Sequence, residues 1–359
     1  MINVSNIEEL YSAVNNSAND GATIVIAPGT YVLSANAPGG SPRPNGGRLE
    51  LRLDMSLIGL VGDRDAVKID ASQLPLASLN VPLGAPLPPL NRTGPIRMGR
   101  GKNSVEWLTI LGNPAAAAGI ETDLGDTTPT KIRVAHVVSG GSSRGLDVRN
   151  AGSAMAGRKL DAEIEDNDFS SGTNAGGNRQ AIRLINFVGA TGGEVHAKMS
   201  GNRFHSSPVG CFPVNNSTNS GVVKVRSNGD KFENNQVGCE IFGANASPGD
   251  GTAASTTFEA HGGKFQDNSE HGILAVGAEA AAQTNVAFDN KVLVRLFGCT
   301  ASGNQLGNFR AFGARSTGGI AGTNNTVTIE RHGVSTQIQV DATDSEPPEP
   351  AHTNTVTVI

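Results

Sequence analysis

Gly238-Cys239-Glu240-Ile241-Phe242-Gly243 is the phrase whose repetition decides the fold. Aligned on the small residue that opens it, it superimposes on Gly119-Ile120-Glu121-Thr122-Asp123-Leu124 and on Gly145-Leu146-Asp147-Val148-Arg149-Asn150. Four further copies open at Ala181, Gly210, Gly272 and Asn308. The seven openings lie 26 to 36 residues apart, inside the range of about 20–45 residues for solenoid repeats. Unequal spacing around a constant strand implies a fixed coil with loops of different length inserted. A second phrase precedes several copies: Asn167-Asp168-Phe169, Asn202-Arg203-Phe204, Asp230-Lys231-Phe232 and Gly263-Lys264-Phe265. These Phe residues are expected to stack inside the coil.

Strand periodicity then sorts the side chains, because residues two apart share a face. One face collects Ile120, Leu146, Ile182, Cys211, Cys239, Ile273 and Phe309, followed by Thr122, Val148, Leu184, Pro213, Ile241, Ala275 and Ala311. This face is the core. The alternate residues are expected in solvent, as two columns: Glu121, Asp147, Arg183, Phe212, Glu240, Leu274, Arg310 and Asp123, Arg149, Ile185, Val214, Phe242, Val276, Phe312. Cys211 and Cys239 read as buried free thiols, and Asn235, Asn268 and Asn304 as structural turn residues.

Composition agrees with this plan. Gly accounts for 46 of 359 residues, close to twice its ordinary share of about 7%, while aromatics are 4% and charged residues 17%. Gly and Asn supply positive-φ corners, which a helical bundle has no use for. The net charge of −5 and the lack of a basic stripe argue against nucleic acid or an anionic membrane as partner. Three Cys without C-x-x-C spacing form neither a disulfide scaffold nor a zinc site. No apolar run of about 18 residues occurs. The N-terminus reads directly into structure, so the expected compartment is secreted or periplasmic if a leader was removed and cytoplasmic otherwise.

Toward the N-terminus, Ser5 and Glu8 have capping-box spacing ahead of Ile7, Leu10, Tyr11 and Val14, which share a helical face. An amphipathic lid helix is expected over 5–15. Then comes Gly21-Ala22-Thr23-Ile24-Val25-Ile26-Ala27-Pro28-Gly29-Thr30-Tyr31, a strand, a Pro-Gly turn and a second strand. A helix followed by this segment resembles the opening of pectate-lyase-like right-handed β-helix proteins. The resemblance implies an all-β, single-stranded, right-handed parallel β-helix whose first coil is closed by the helix. On that plan 22–118 holds the first coils, with a Pro- and Leu-rich loop near 75–95. Seven registered coils fill 119–313, and 314–359 holds the last coils and an edge strand, blunted by the acidic Pro-rich stretch from Asp344 to Pro350.

Function should reside on the outer ladder. It is charged in its first half and apolar in its second, and contiguous exposed apolar area signals a ligand, a partner or a covering segment. The insertions 244–255 and 278–284 follow these strands and should wall the face into a groove. The resemblance implies binding of an acidic or extended glycan and cleavage by β-elimination, with Arg183 or Arg149 as base or stabiliser. Asp147, Glu240 and His271 complete the catalytic candidates, His271 on a bulge that aims it at the groove mouth. Phe212, Phe242, Leu274, Arg310 and Phe312 would contact substrate. Glu121, Asp123 and Asp147 would hold Ca²⁺ through carboxylate oxygens.

The chain lacks the W-I-D-H phrase of pectate lyases. Its His-Gly pairs at His261, His271 and His332 lack the preceding Gly of polygalacturonases, which ranks hydrolysis by Glu121 and Asp147 lower. A different class of reading has the apolar rungs bind or cyclise an apolar small molecule, or bury themselves in a homo-oligomer contact. The plainest reading is that Asp147 with Arg183, and Asp123 with Arg149, are solvated ladder pairs of small energetic worth. His205, Lys264 and His136 have no partner that their spacing identifies.

Overall fold

A computed structural model of the chain describes residues 1–79, 93–122, 129–150, 157–172, 179–186, 192–216, 220–246, 253–280, 289–316, 324–334 and 354–359. Among them, three sheets of twelve, nine and ten strands run along the molecule. They are called the first, second and third sheet below. Each coil visits them in that order, as in Lys159–Glu165, Asp168–Ser170 and Gln180–Asn186. Successive coils pair in parallel in all three sheets, so the chain is an all-β parallel solenoid with few helices. In the third sheet Ile120 pairs with Leu146, Leu146 with Ile182, Ile182 with Cys211, Cys211 with Cys239, Cys239 with Ile273 and Ile273 with Phe309.

The corners explain why the phrases recur. Between the first and second sheets the chain turns in two residues, and the first of these takes a left-handed conformation. That position is Gly at 201, 229, 262 and 298 (φ 67°, 65°, 62° and 59°), where no Cβ opposes it. The second residue points inward. Asn167 donates its amide to Val134 O at 2.9 Å, and its backbone N–H meets Asn202 Oδ1 at 3.0 Å. Asn202 repeats this with Ile164 O and Asp230 Oδ1. At the next corner Asn235, Asn268 and Asn304 donate to the carbonyls of Phe204, Phe232 and Phe265. These ladders satisfy buried backbone groups that the sharp turns would otherwise orphan.

Inside, Phe169, Phe204, Phe232 and Phe265 stack with centroids 6.2, 5.2 and 4.7 Å apart. Cys211, Cys239 and Cys299 are buried free thiols, and burial pushes the Cys239 pKa well up. The opening Gly of the repeat has a steric reason. A Cβ at Gly238 would lie 2.5 Å from Gly272 O and 3.0 Å from the Asn268 amide.

The N-terminal helix spans Ile7–Asn15 and buries Leu10, Tyr11, Ala13 and Val14. Its N-cap is Asn6, one residue later than the sequence suggests: Asn6 accepts from Glu9 N at 3.0 Å, and Glu9 reaches back to Ser5 N at 2.7 Å. The Asn side chain in an extended N-cap geometry outcompetes Ser5 for the orphan donors of the first turn. Thr355–Val358 is the last strand of the first sheet and pairs with Thr326–His332. Among the described residues of the Pro/Leu-rich stretch, Leu76–Leu79 forms a helical turn. Residues 80–92, 247–252, 281–288 and 344–350 lie outside the described residues.

Candidate functional site

The outer columns of the third sheet stand in the expected register, with Glu50, Arg97, Glu121, Asp147, Arg183 and Phe212 on successive rungs. The surroundings differ from expectation, because this face is buried. Glu121 and Asp147 are wholly inaccessible, Arg149 is 7% exposed and Phe242 1%. Thr93 and Gly94 pack against the start of the ladder: Thr93 bonds Leu79 O at 2.7 Å, and the Gly94 N–H donates to Glu121. Farther along, Ile185, Val209, Phe212, Val214, Val237, Phe242, Leu274, Val276 and Phe312 form an apolar cluster of their own, distinct from the core inside the coil. Phe212 meets Phe242 edge-on at 5.4 Å, and the apolar rungs are buried, not a free surface.

The charged half is a continuous network. Arg97 bridges Glu50 at 3.5 Å and Glu121 at 3.2 Å, and Arg149 bonds the other oxygen of Glu121. Arg183 grips Asp147 with both arms, Nε to Oδ1 at 2.8 Å and Nη2 to Oδ2 at 2.6 Å. Asp147 also faces Arg149 at 3.5 Å and Arg144 at 3.6 Å. Arg48 joins Glu50 and donates to Ser78 O at 2.5 Å. The expected pair of Asp147 and Arg183 therefore exists, but as a desolvated bidentate contact, where loss of one partner is costly. Arg183, at 16% side-chain exposure, is the most accessible of the three arginines on Asp147.

The two carboxyls on adjacent rungs are driven in opposite directions. Burial raises the Glu121 pKa despite Arg149 and Arg97. Burial acts on Asp147 the same way, but the combined Arg183, Arg149 and Arg144 charges overcome it and hold Asp147 well below the carboxylate range. Arg144, pressed by burial and by the Arg183 charge, is lowered. Its Nε donates to Gln180 Oε1 at 2.6 Å. Sequence reading missed Arg144 because period two, counted back from Leu146, gives it an inward parity, whereas the side chain before the opening Gly145 reaches Asp147 on the outer face.

A Ca²⁺ site does not fit this geometry. Glu121 and Asp147 have guanidinium partners, and a divalent cation between them would be ringed by arginines. Among the described residues no group of three His, Cys, Asp or Glu could hold a metal; Asp123 lies outside them. His271 is not on a bulge. It starts the regular strand His271–Ala280, pairs with Val237 and Gly307, and is buried in the outer column of Arg144, Gln180, Val209 and Val237. Glu240 is half-buried beside Leu274, and Arg310 lies over the Phe312 ring at 4.4 Å. The structure does not bring Glu240, His271 or Arg310 together with the Arg183 cluster.

Partners that spacing could not identify lie on the neighbouring rungs. His205 Nε2 meets Asp168 Oδ1 at 2.6 Å, and its Nδ1 meets Ser206 Oγ at 2.9 Å. His136 stacks on Trp107 with centroids 3.8 Å apart. On the first sheet a hollow of about 310 Å³ is lined by Lys131, Lys159, Asp161, Glu163, His196 and Lys198. Its charges are largely satisfied in pairs, Lys131 with Glu163 at 2.7 Å and Lys159 with Asp161 at 3.0 Å.

No protein-family model matches the chain, and no curated protein is detectably similar in sequence. Solved structures similar to it include the A-modules of the Azotobacter vinelandii mannuronan C-5 epimerases AlgE6 and AlgE4. The first is 15% identical with a TM-score of 0.43, covering 100% of this chain and 98% of that one. The second is 11% identical with a TM-score of 0.38, covering 98% and 95%. A family 28 exopolygalacturonase of Yersinia enterocolitica is 13% identical with a TM-score of 0.33, covering 98% and 75%. The solenoid itself is read from this chain's own strand pairing.

Proposed function

We propose that the chain is a carbohydrate-active β-helix protein that takes an acidic glycan at the charged rungs of the third sheet and cleaves it by β-elimination. The observation that carries this reading is the Arg144, Arg149, Arg183 set around Asp147, with Glu121 on the adjacent rung. Guanidiniums are planar donors matched to a uronate carboxylate, and that carboxylate must be neutralised as the α-proton leaves. An arginine can act as base only if its pKa falls, which is the direction imposed on Arg144. In the proposed step the base takes the proton beside the carboxylate, a carbon–carbon double bond forms, and the glycosidic oxygen departs with a proton from water, while the inaccessible Glu121 holds Arg97 and Arg149 in place. Asp147 stays ionised and orients the arginines. Arg183 is the member that substrate would meet first.

A second reading is favoured by the opposite displacement of Glu121 and Asp147, the signature of an acid and base pair in glycoside hydrolysis. Incubation with polyguluronate, polymannuronate, polygalacturonate and glycosaminoglycans separates the two. Elimination yields an ultraviolet-absorbing unsaturated uronate that Arg183→Ala abolishes. Reducing ends without that absorbance would move the assignment to hydrolysis, and no product or binding on any polymer would remove it.

The same reading takes the whole chain as one domain and its coil as right-handed, the hand that parallel crossovers adopt almost without exception. The helix Ile7–Asn15 then serves as the lid of the first coil, which its buried Leu10, Tyr11 and Val14 support.

A further inference from the structure

The corner between the first and second sheets follows one rule over most of its length. Its leading position is Gly at 201, 229, 262, 298 and 333, each with positive φ. Three earlier rungs break the rule with non-Gly residues in the same left-handed conformation: Trp107 at φ 58°, His136 at φ 56° and Asp166 at φ 50°. A non-Gly residue there is strained, and large aromatic side chains are seldom found there. Such strain persists where the surroundings hold it, and it concentrates at functional positions.

The two aromatic side chains make one stack, in which His136 covers one face of the indole. Indole and imidazole stack at 3.8 Å with planes 19° apart, both half-buried. One rung earlier the position beside Trp107 is Gly59, which places no side chain against the other indole face. Trp107 bonds through its backbone N–H to Ala135 O, and among the described residues its indole N–H meets no acceptor. Polar groups flank the rings: Asp166 lies 3.8 Å from His136 Nδ1, and Arg64 donates to Asp166 O at 3.2 Å. Leu60 and Val61, on the turn after Gly59, are 45% and 71% exposed.

We propose that Trp107, backed by His136, forms a stacking platform for a neutral pyranose ring, with Arg64 and the indole N–H recognising its hydroxyls. An aromatic face with a polar rim suits the apolar C–H face and equatorial hydroxyls of a pyranose. Charge selects a neutral sugar over a uronate. Around the platform Arg64 and Arg133 stand against Asp65, Glu106, Glu165 and Asp166, with Arg133 already paired to Glu106 at 3.3 Å and to Glu165 at 2.9 Å. The platform is remote from the third-sheet ladder in the coil and does not rest on the elimination reading.

Trp107 is the one tryptophan of the chain, so its emission reports on this site alone. The test titrates the full chain with maltohexaose, cellohexaose and mannohexaose, and follows fluorescence and calorimetric heat in parallel. A saturable change in Trp107 emission with at least one of the three is expected. Trp107→Gly, which restores the residue that later rungs use, should weaken that binding tenfold or more, and Trp107→Phe should keep it within about threefold. Arg183→Ala should leave it unchanged. Calorimetric binding without an emission change, binding that survives Trp107→Gly, or no response to any of the three would overturn the platform. Product release from acidic polymers by Trp107→Gly tests the ladder separately, so either assignment can fall without the other.

Discussion

Asp230 closes the inward ladder that Asn167 and Asn202 begin, and replacing it with Asn should make the protein more stable at neutral pH. The carboxyl is wholly buried. Its Oδ1 accepts from the backbone and amide of Asn202 at 2.7 and 2.8 Å, and its Oδ2 from Ser227 Oγ at 2.5 Å. Burial outweighs these bonds and pushes its pKa up to about 6 from 3.8. Because the folded pKa is the higher one, the folded chain holds the proton between those values while the unfolded chain has released it. Stability therefore falls as pH rises through this window and stays reduced above it. Roughly 2 pH units at about 1.4 kcal/mol each amount to about 3 kcal/mol. Asn carries no charge to desolvate. Its amide can donate to Met199 O, the register equivalent of the Val134 and Ile164 carbonyls that Asn167 and Asn202 use, while the Ser227 hydroxyl remains free to turn. Urea unfolding of Asp230→Asn and the parent at pH 4, 6 and 7.5 measures the effect. Near-equality at pH 4 and a variant more stable by about 2–3 kcal/mol at pH 7.5 are expected. A difference that does not change with pH, or a variant less stable at pH 7.5, would refute the reasoning.

Asp147→Asn leaves Arg144, Arg149 and Arg183 buried around a neutral group, and should cost about 3–5 kcal/mol in the same unfolding measurement. Since the folded pKa of Asp147 is depressed, its contribution is full above the unfolded value and lost on acidification. The gap between parent and variant should therefore narrow below about pH 4. Phe232→Ala removes the ring between Phe204 and Phe265 in the internal stack and should cost about 3–5 kcal/mol. Hydrogen exchange should accelerate most on the coils that contain 204, 232 and 265, because each coil of a solenoid leans chiefly on its neighbours.

What the sequence determined by itself is whatever the coil makes periodic. Equivalent residues stack about 4.8 Å apart, so aligning the opening small residues was enough to give the rung-to-rung register, the Cys211 and Cys239 neighbours, the Phe169 to Phe265 stack and the Asn turns. It was also enough to set Asp147 beside Arg183. Burial of that pair was not legible, because period two separates inward from outward residues but carries no information on what packs over the outward ones. Arg144 joined the cluster, and His271 and Glu240 stayed apart from it, for reasons of three-dimensional reach. The fit of Ca²⁺ likewise depended on four guanidiniums converging from three rungs. The corner at Trp107 and His136 lies between these cases. The column in which both residues replace Gly is present in the sequence, but the left-handed backbone and the ring contact that give the substitution meaning exist only once the coils are stacked.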